Sequence, residues 1–157
     1  MGDRIVYGVM RDGEEKAISG LVSQVFDEFV APGYDREGID TFMDYTEPDA
    51  IALRSLLGHN FALTAKVGGL IVGAIEVRGY EHICLLFVDK SYQRRGIARE
   101  LIRRAIVKCS KRTGFVHLSV NSSPFAIPFY TSMGFVQTDK EQLQDGIRYI
   151  PMLLAYK

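Results

Sequence analysis

Residues 91–105 of the chain read SYQRRGIARELIRRA, and this stretch decides the fold. Behind Gly96 the apolar residues recur with the 3.6-residue period of an amphipathic helix, at Ile97, Ala98, Leu101, Ile102, Ala105, Ile106 and Cys109. Ahead of it, residues 83–88 (ICLLFV) form an apolar run typical of a strand. The stretch therefore predicts a strand that turns through a glycine into a basic helix.

A helix that begins at this glycine is suited to binding an anion. The backbone N–H groups of a first helical turn have no intrahelical partner, and the helix dipole favours negative charge beside them. Gly96 lets the backbone approach a ligand closely, and Arg94, Arg95 and Arg99 add positive charge. The pyrophosphate of a nucleotide cofactor would fit, but an ordinary strand-to-helix turn explains the motif equally well. Neither G-x-x-x-x-G-K-[ST] nor G-x-G-x-x-G occurs, which argues against a P-loop or a dinucleotide-binding fold.

Around this stretch the hydrophobic pattern predicts a single α+β domain over residues 1–157. Upstream it predicts a strand, three helices and three further strands, at 4–10, 17–30, 36–45, 47–57, 60–66, 70–79 and 82–88. Downstream it predicts a strand, a short helix and two final strands, at 115–120, 122–134, 134–139 and 147–156. We expect a central mixed, mostly antiparallel sheet of about seven strands flanked by about four to five helices.

Turn and cap residues refine this prediction. Gly68-Gly69 and Gly79-Tyr80 suit tight turns, so the three strands between residues 60 and 88 should form an antiparallel meander. The strand–helix–strand order that follows implies a right-handed parallel crossover. Ser122 or Ser123 is a suitable cap for the short helix. Pro151 has no N–H and is expected at a sheet edge or at a bulge.

The composition excludes several classes of protein. Formal net charge is zero, so the chain has no global attraction to nucleic acid or to a membrane surface. No apolar run approaches the roughly 18 residues of a membrane span, and the first residues do not resemble a signal peptide. Cys84 and Cys109 lie in apolar segments without metal-ligand spacing. We expect a cytoplasmic protein that binds no metal.

Two motifs together resemble those of the GCN5-related N-acetyltransferase (GNAT) superfamily. Residues 93–98 (QRRGIA) match its pattern Q/R-x-x-G-x-G/A. Residues 123–135 (SPFAIPFYTSMGF) resemble its next motif, with Ala126, Phe129-Tyr130 and Gly134-Phe135 in register. One predicted strand separates the two motifs, as in the family. The resemblance implies a GNAT-like fold and an N-acetyltransferase that uses acetyl-CoA as co-substrate.

The resemblance also implies which residues contact acetyl-CoA. They are Leu86, Phe87 and Val88 for the pantetheine arm, and Gln93, Arg94, Arg95, Gly96, Ile97, Ala98 and Arg99 for the pyrophosphate. The family usually has an asparagine three residues before the alanine of the second motif. Here that position is Ser123, and an asparagine stands at Asn121 instead. Ser123 would cap the helix while Asn121 reaches the cofactor, and the departure leaves both roles open.

Acetyl transfer by direct attack of an amine needs a base, an oxyanion donor and an acid. The resemblance assigns the oxyanion donor to the backbone N–H of Val88. It assigns the acid, which protonates the departing thiolate, to Tyr130. Glu81 and His82 open the strand from which a base acts in some relatives, and only one of them can face the acceptor. A water chain in place of a side-chain base, and Cys84 as a covalent nucleophile, are the alternatives.

The N-terminal third of the chain suggests a cationic acceptor. Residues 1–50 hold 12 acidic residues against 4 basic ones. The acidic residues expected near the acceptor are Asp27, Glu28, Asp35, Glu37, Asp40, Asp44, Glu47 and Asp49. A polyamine, an aminoglycoside-like compound or a lysine side chain would suit them.

Other readings of the sequence differ in class. A non-catalytic acyl-CoA-binding regulator would keep the same pocket but transfer nothing. RNA binding by the arginine-rich segment 94–112 is disfavoured, because its apolar stripe faces a core and no aromatic platform lies near the basic face. Edge strands near the C-terminus would permit a homodimer.

Overall fold

The computed structural model describes residues 4–156, which form an eight-stranded sheet with helices on both faces. The strands are β1 (Val6–Val9), β2 (Asn60–Val67), β3 (Leu70–Arg78), β4 (His82–Val88), β5 (His117–Ser122), β6 (Val136–Gln137), β7 (Gln142–Gln144) and β8 (Ile147–Ala155). The α-helices are α1 (Glu15–Phe29), α2 (Arg36–Tyr45), α3 (Pro48–Leu56), α4 (Ile97–Ser110) and α5 (Ile127–Ser132). Short 3₁₀ turns lie at Ala31–Gly33, Lys90–Tyr92 and Pro124–Ala126.

The strands follow the order β1-β2-β3-β4-β5-β8-β6, and β7 pairs with β8. Within residues 4–156, β4 and β5 are the one parallel pair, and every other pairing is antiparallel. The predicted α+β architecture with a mixed, mostly antiparallel sheet is confirmed, and so are the two turns of the β2-β3-β4 meander.

The strand β7 is the element that the hydrophobic pattern does not predict. Its sequence QLQ is too short and too polar to show an apolar alternation. It pairs with β8 through a two-residue turn at Asp145-Gly146, where φ is 52° and 78°. An Asp-Gly pair favours this left-handed hairpin turn, so the signal for β7 lay in the turn and not in the strand.

Of the two positions expected for Pro151, a sheet edge or a bulge, the edge is wrong. The pairing beside Pro151 is irregular as at a bulge, because Gln137 pairs with Met152 and Gln142 with Tyr149. β8 lies between β5 on one side and the short strands β6 and β7 on the other. The Pro151 carbonyl accepts a hydrogen bond from Thr138 N at 3.0 Å, so the backbone of Pro151 faces the side of β6 and β7. Thr138 follows the end of β6, where the chain leaves the sheet before β7 begins. The nitrogen of Pro151, which carries no hydrogen, therefore faces the gap between β6 and β7, and no backbone hydrogen bond to β5 is lost.

Two apolar clusters lie on opposite faces of the sheet. α4 covers one face with its predicted stripe, in which Ile97, Leu101, Ile102, Ala105 and Cys109 are all buried. α1 and α3 cover the other face. A Cβ atom added to Gly73 of β3 would lie 2.9 Å from Ile97 Cγ2, so this glycine lets α4 pack directly on the strand. The start of α4, which carries the predicted anion site, is thereby fixed against the sheet.

A buried ion pair lies beneath α3. Glu76 of β3 is only 4% exposed, and its carboxylate accepts hydrogen bonds from Arg54 Nε at 2.8 Å and Nη2 at 2.9 Å. Asn60 Nδ2 donates a third bond at 2.6 Å. The Arg54 guanidinium also lies 3.8 Å from the centroid of the Tyr45 ring. These contacts join α3, the end of α2 and the sheet.

The parallel strands β4 and β5 are in register over two residue pairs, His82 with Ser119 and Ile83 with Val120. Beyond Ile83 they diverge, and a cavity of about 880 Å³ occupies the opening. None of the helices in residues 4–156 is both long and apolar enough to cross a membrane.

Candidate active site

The cavity between β4 and β5 runs from the first turn of α4 to α1, α2 and the β7–β8 turn. It brings together most of the residues that the sequence predicts for binding and catalysis. Those that line it are His82, Leu86, Phe87, Val88, Gln93, Arg94, Gly96, Ile97, Ala98, Arg99, Asn121, Ser123 and Tyr130. Glu81 and Arg95 are predicted site residues that do not line it.

The backbone of β4 offers an open hydrogen-bonding edge to this cavity. Asp89 N donates to Val72 O of β3 at 2.7 Å. Because successive residues of a strand direct their backbone groups to alternate sides, those of Phe87 also face β3. Those of Leu86 and Val88 face the opening where β5 has diverged, and Gln93 Nε2 already donates to Val88 O at 3.0 Å. A ligand with amide groups can therefore extend the sheet along Leu86 and Val88.

The loop ahead of α4 has the geometry of an anion site. Arg94 and Gly96 both have left-handed backbones, with φ of 65° and 79°. A left-handed backbone at a non-glycine residue is uncommon and concentrates at functional sites. The first hydrogen bond of the helix runs from Glu100 N to Gly96 O at 3.0 Å. The N–H groups of Ile97, Ala98 and Arg99 thus have no helical partner, and all three residues line the cavity.

The three arginines of this loop and helix are placed differently. Arg94 and Arg99 line the cavity and carry positive charge beside the open N–H groups. The Arg95 guanidinium lies 5.0 Å from the centroid of the Tyr92 ring and outside the cavity lining. Two of the three predicted cations are therefore available to an anion in the cavity.

The end of β5 forms the opposite wall. Ser123 Oγ accepts a hydrogen bond from Ala126 N at 3.3 Å and so caps the turn that leads into α5. Asn121, at the end of β5, is exposed and lines the cavity. The amide of Asn121 offers donors and an acceptor to a ligand, whereas Ser123 Oγ already accepts the capping bond.

Tyr130 of α5 is buried between two aromatic rings. The ring centroids of Phe129 and Phe135 lie 5.3 Å and 5.2 Å from its own, both near edge-on. Every fully buried polar side-chain atom in residues 4–156 has a hydrogen-bond partner. The Tyr130 hydroxyl has no such partner among those residues, so it is not fully buried. The hydroxyl must therefore reach the cavity that Tyr130 lines. Burial raises the pKa of this phenol above its ordinary value, so it stays protonated at neutral pH.

His82 is held in one orientation by Ser119. His82 Nδ1 lies 2.8 Å from Ser119 Oγ, and Ser119 Oγ donates to the Glu81 carbonyl at 3.2 Å. A carbonyl only accepts, so both bonds form together only when His82 Nδ1 carries the proton. His82 Nε2 is then left as an acceptor. Burial, with the charge of Arg78 as a smaller cause, lowers the pKa of His82 to about 4, so the ring is neutral at pH 7.

Two other titratable groups predicted near the site are less suited to chemistry there. Glu81 is exposed in the turn before β4, and its side chain does not line the cavity. Of the pair Glu81 and His82, the histidine thus faces the opening. Cys84 lines the cavity, but burial raises the pKa of its thiol above the ordinary value. A thiol held protonated is a poor nucleophile, which argues against a covalent route.

Sequence reasoning missed most of the wall opposite α4. The residues there that line the cavity include Val25, Phe26, Val30, Tyr34, Thr41, Phe42, Tyr45, Asp145 and Tyr149. The apolar pattern assigns the phenylalanines to the core, and no spacing distinguishes a core-facing ring from one at a cavity. None of the eight acidic residues expected near the acceptor lines the cavity. Among them, Asp35 caps α2 and Glu28 pairs with Lys90 on the surface.

These features place the protein in a known family. The family model for the acetyltransferase (GNAT) domain matches residues 30–156, so the chain belongs to the GNAT acetyltransferase family. No protein with a curated description matches the sequence significantly.

Solved structures share the whole fold at low sequence identity. A GCN5-related N-acetyltransferase from Rhodopseudomonas palustris aligns with a TM-score of 0.83 at 19% identity, over 99% of each chain. The PaiA N-acetyltransferase from Thermoplasma acidophilum, solved in complex with coenzyme A, aligns with a TM-score of 0.80 at 18% identity, over 98% of this chain and 99% of that one. A GNAT-family acetyltransferase from Staphylococcus aureus Mu50 aligns with a TM-score of 0.77 at 17% identity, over 98% and 100%. The predicted GNAT-like fold is confirmed.

Proposed function

We propose that the protein transfers the acetyl group of acetyl-CoA to a primary amine. One observation carries the proposal: a single cavity joins the open edge of β4, the N–H groups ahead of α4, and the side chains of His82 and Tyr130. Bound acetyl-CoA would supply the acetyl group as a thioester, which a deprotonated amine attacks directly to form an amide and release the CoA thiol.

The residues present fit acetyl-CoA. The backbone groups of Leu86 would pair with the pantetheine arm as an added strand. The Val88 carbonyl already accepts from Gln93, so the N–H of Val88 is left for the thioester oxygen. The N–H groups of Ile97, Ala98 and Arg99, with the charges of Arg94 and Arg99, would hold the pyrophosphate. Asn121, on the opposite wall, would complete the pantetheine site. The coenzyme A complex of the PaiA relative supports this choice of ligand.

His82 would orient the amine and assist the loss of its proton to water. A primary amine has a pKa of roughly 10.4 in water and must lose a proton before it attacks. His82 is neutral throughout the neutral pH range and directs Nε2 away from its bond to Ser119. A pKa of about 4 makes His82 a weak base, so it would accept a hydrogen bond from the amine and orient it, while water takes up the proton. Ser119 is then a positioning residue that selects the useful tautomer.

Val88 and Tyr130 would stabilise the charge that develops during transfer. The N–H of Val88 faces the opening and would donate to the carbonyl oxygen as it becomes anionic. The Tyr130 hydroxyl would donate its proton to the departing thiolate. Its raised pKa keeps that proton in place until the thiolate forms.

The acidic N-terminal third gives only weak support for a cationic acceptor. The eight carboxylates expected near the acceptor do not line the cavity, so they would attract a cationic acceptor only at long range. The walls of the cavity itself are the better guide to the acceptor.

Two measurements test the proposal. First, acetyl-CoA at about 100 times its dissociation constant should add roughly 2.7 kcal/mol of stability, which raises Tm by several degrees. An unchanged Tm at millimolar acetyl-CoA would contradict cofactor binding. Second, release of CoA thiol should depend on an added primary amine. A raised Tm without amine-dependent thiol release would instead favour a non-catalytic acyl-CoA-binding protein.

Tyr130→Phe separates catalysis from binding. We expect turnover to fall about 10²-fold or more while acetyl-CoA still raises Tm, because the phenylalanine keeps the ring packing and removes only the acid. Tyr156→Phe is the matched control, since Tyr156 packs against Phe115 with tilted rings outside the cavity. Unchanged turnover in Tyr130→Phe would remove this residue from the mechanism.

A further inference from the structure

The end of the cavity away from α4 is walled by aromatic rings. Phe26 and Phe42 stack with their centroids 4.0 Å apart and their planes within 10° of parallel. Tyr34 meets Phe26 edge-on at 5.6 Å, and Phe87 lies 5.9 Å from Phe42. Phe42, Tyr34 and Phe87 are partly exposed and line the cavity, whereas Phe26 is fully buried and supports the Phe42 ring from behind. The four residues come from four separate segments of the chain. Rings in this arrangement offer faces and edges to a further flat apolar group.

This aromatic wall is preformed, because several contacts fix α2 and the segment before it against the β7–β8 turn. The Tyr34 hydroxyl donates to Arg148 O at 3.1 Å, and Thr41 Oγ1 donates to Asp145 O at 2.8 Å. Gly38 packs so closely on Gly146 that a Cβ atom at Gly38 would lie 2.8 Å from the Gly146 carbonyl carbon. A rigid wall loses little entropy when a ligand binds to it.

The charges at this end do not favour a polycation. Asp145 is the one carboxylate among the lining residues that the structure describes, and Arg78 also lines the cavity. Arg94 and Arg99 also line the cavity, at the end where α4 begins. The lining thus sets one carboxylate against three guanidinium groups, so a second or third ammonium group would gain no net attraction there.

We propose that the acceptor is a monoamine carried on a planar apolar body, such as an aromatic ring joined to the amine by a short alkyl chain. The ring would stack in the aromatic wall, and the amine would extend past Phe87 toward His82. This inference rests on the proposed function for its choice of the amine as the reacting group.

The test compares three amines: 2-phenylethylamine, n-butylamine and spermidine. Each is titrated calorimetrically into the full-length protein saturated with CoA, and each is then assayed for thiol release with acetyl-CoA. We expect 2-phenylethylamine to bind about tenfold or more tightly than either of the others, and to show a kcat/KM higher by a similar factor. Phe42→Leu should remove most of this preference, whereas Phe115→Leu, outside the cavity, should keep it.

Binding tests the aromatic site, and turnover tests the proposed transfer reaction. Preferential binding of 2-phenylethylamine without any thiol release would support the aromatic site and overturn the proposed transfer reaction. Turnover of spermidine or n-butylamine with equal or higher kcat/KM would support transfer and overturn the aromatic acceptor. The aromatic acceptor would also be overturned if 2-phenylethylamine bound no more tightly than n-butylamine. The same holds if the preference for 2-phenylethylamine survived Phe42→Leu and were lost in Phe115→Leu.

Discussion

The contact between Gly38 and Gly146 gives a sharp prediction. Gly38 lies in the first turn of α2, and Gly146 closes the β7–β8 hairpin. A Cβ atom at Gly38 would lie 2.8 Å from the Gly146 carbonyl carbon and closer still to its oxygen. Because the obstacle is backbone, no side-chain rotation relieves the clash. Gly38→Ala must therefore push α2 away from the hairpin.

The magnitude follows from two opposing terms. Alanine in place of glycine in a helix gains about 0.5–1 kcal/mol. Overpacking at a contact that cannot yield costs about 1–3 kcal/mol. We expect Gly38→Ala to lose about 1–2 kcal/mol of unfolding free energy. Gly20→Ala in α1 is the matched control, since nothing lies within 4 Å of a Cβ atom there, and it should gain about 0.4–1 kcal/mol.

The assay is urea unfolding followed by circular dichroism, with KM measured for the acceptor and for acetyl-CoA. Because α2 carries part of the aromatic wall and none of the anion loop, Gly38→Ala should raise the acceptor KM and leave the acetyl-CoA KM nearly unchanged. If Gly38→Ala proved as stable as Gly20→Ala, the close packing of α2 on the hairpin would be refuted. Equal changes in both KM values would refute the division of the cavity into two ends.

Two further substitutions test the buried charge and the buried histidine. Glu76→Gln should lower the free energy of unfolding, measured in urea, by about 3–5 kcal/mol, because it leaves Arg54 buried without its carboxylate. Glu28→Gln, at an exposed ion pair, should change it by less than about 1 kcal/mol. Similar losses for both would contradict the burial of the first pair. The pKa of His82 is about 4 in the folded protein and near 6.5 when unfolded, so between these values only the unfolded chain takes up the proton and stability falls as pH falls. His82→Asn should make stability less dependent on pH over that window. An unaltered pH profile in His82→Asn would count against the lowered pKa.

Local signals explain why the anion loop and α4 could be predicted. The 3.6-residue stripe behind Gly96 occupies a single continuous segment, and the structure buries the stripe as expected. The cap at Ser123 and the turns of the β2-β3-β4 meander likewise depend on a few adjacent residues. Local steric and hydrogen-bonding preferences therefore suffice for these elements.

The rest of the cavity depends on contacts between distant segments. Phe26 and Phe42 stack across two helices, and Thr41 bonds to Asp145 more than 100 residues away. An apolar stripe has the same period whether it faces a core or a cavity. The aromatic wall therefore could not be predicted from the hydrophobic periodicity of the sequence. The same holds for Pro151, whose place depends on where β6 ends and β7 begins.

The position of β8 makes the C-terminal part of the sheet a single cooperative unit. Within residues 4–156, β6 and β7 pair with β8 alone, and β8 joins them to β5. Separation of β8 from β5 would therefore detach three strands together, along with the turn that supports α2. In hydrogen exchange we expect the amides of these strands to open with a shared free energy, and acceptor binding to slow that opening more than it slows exchange in α4.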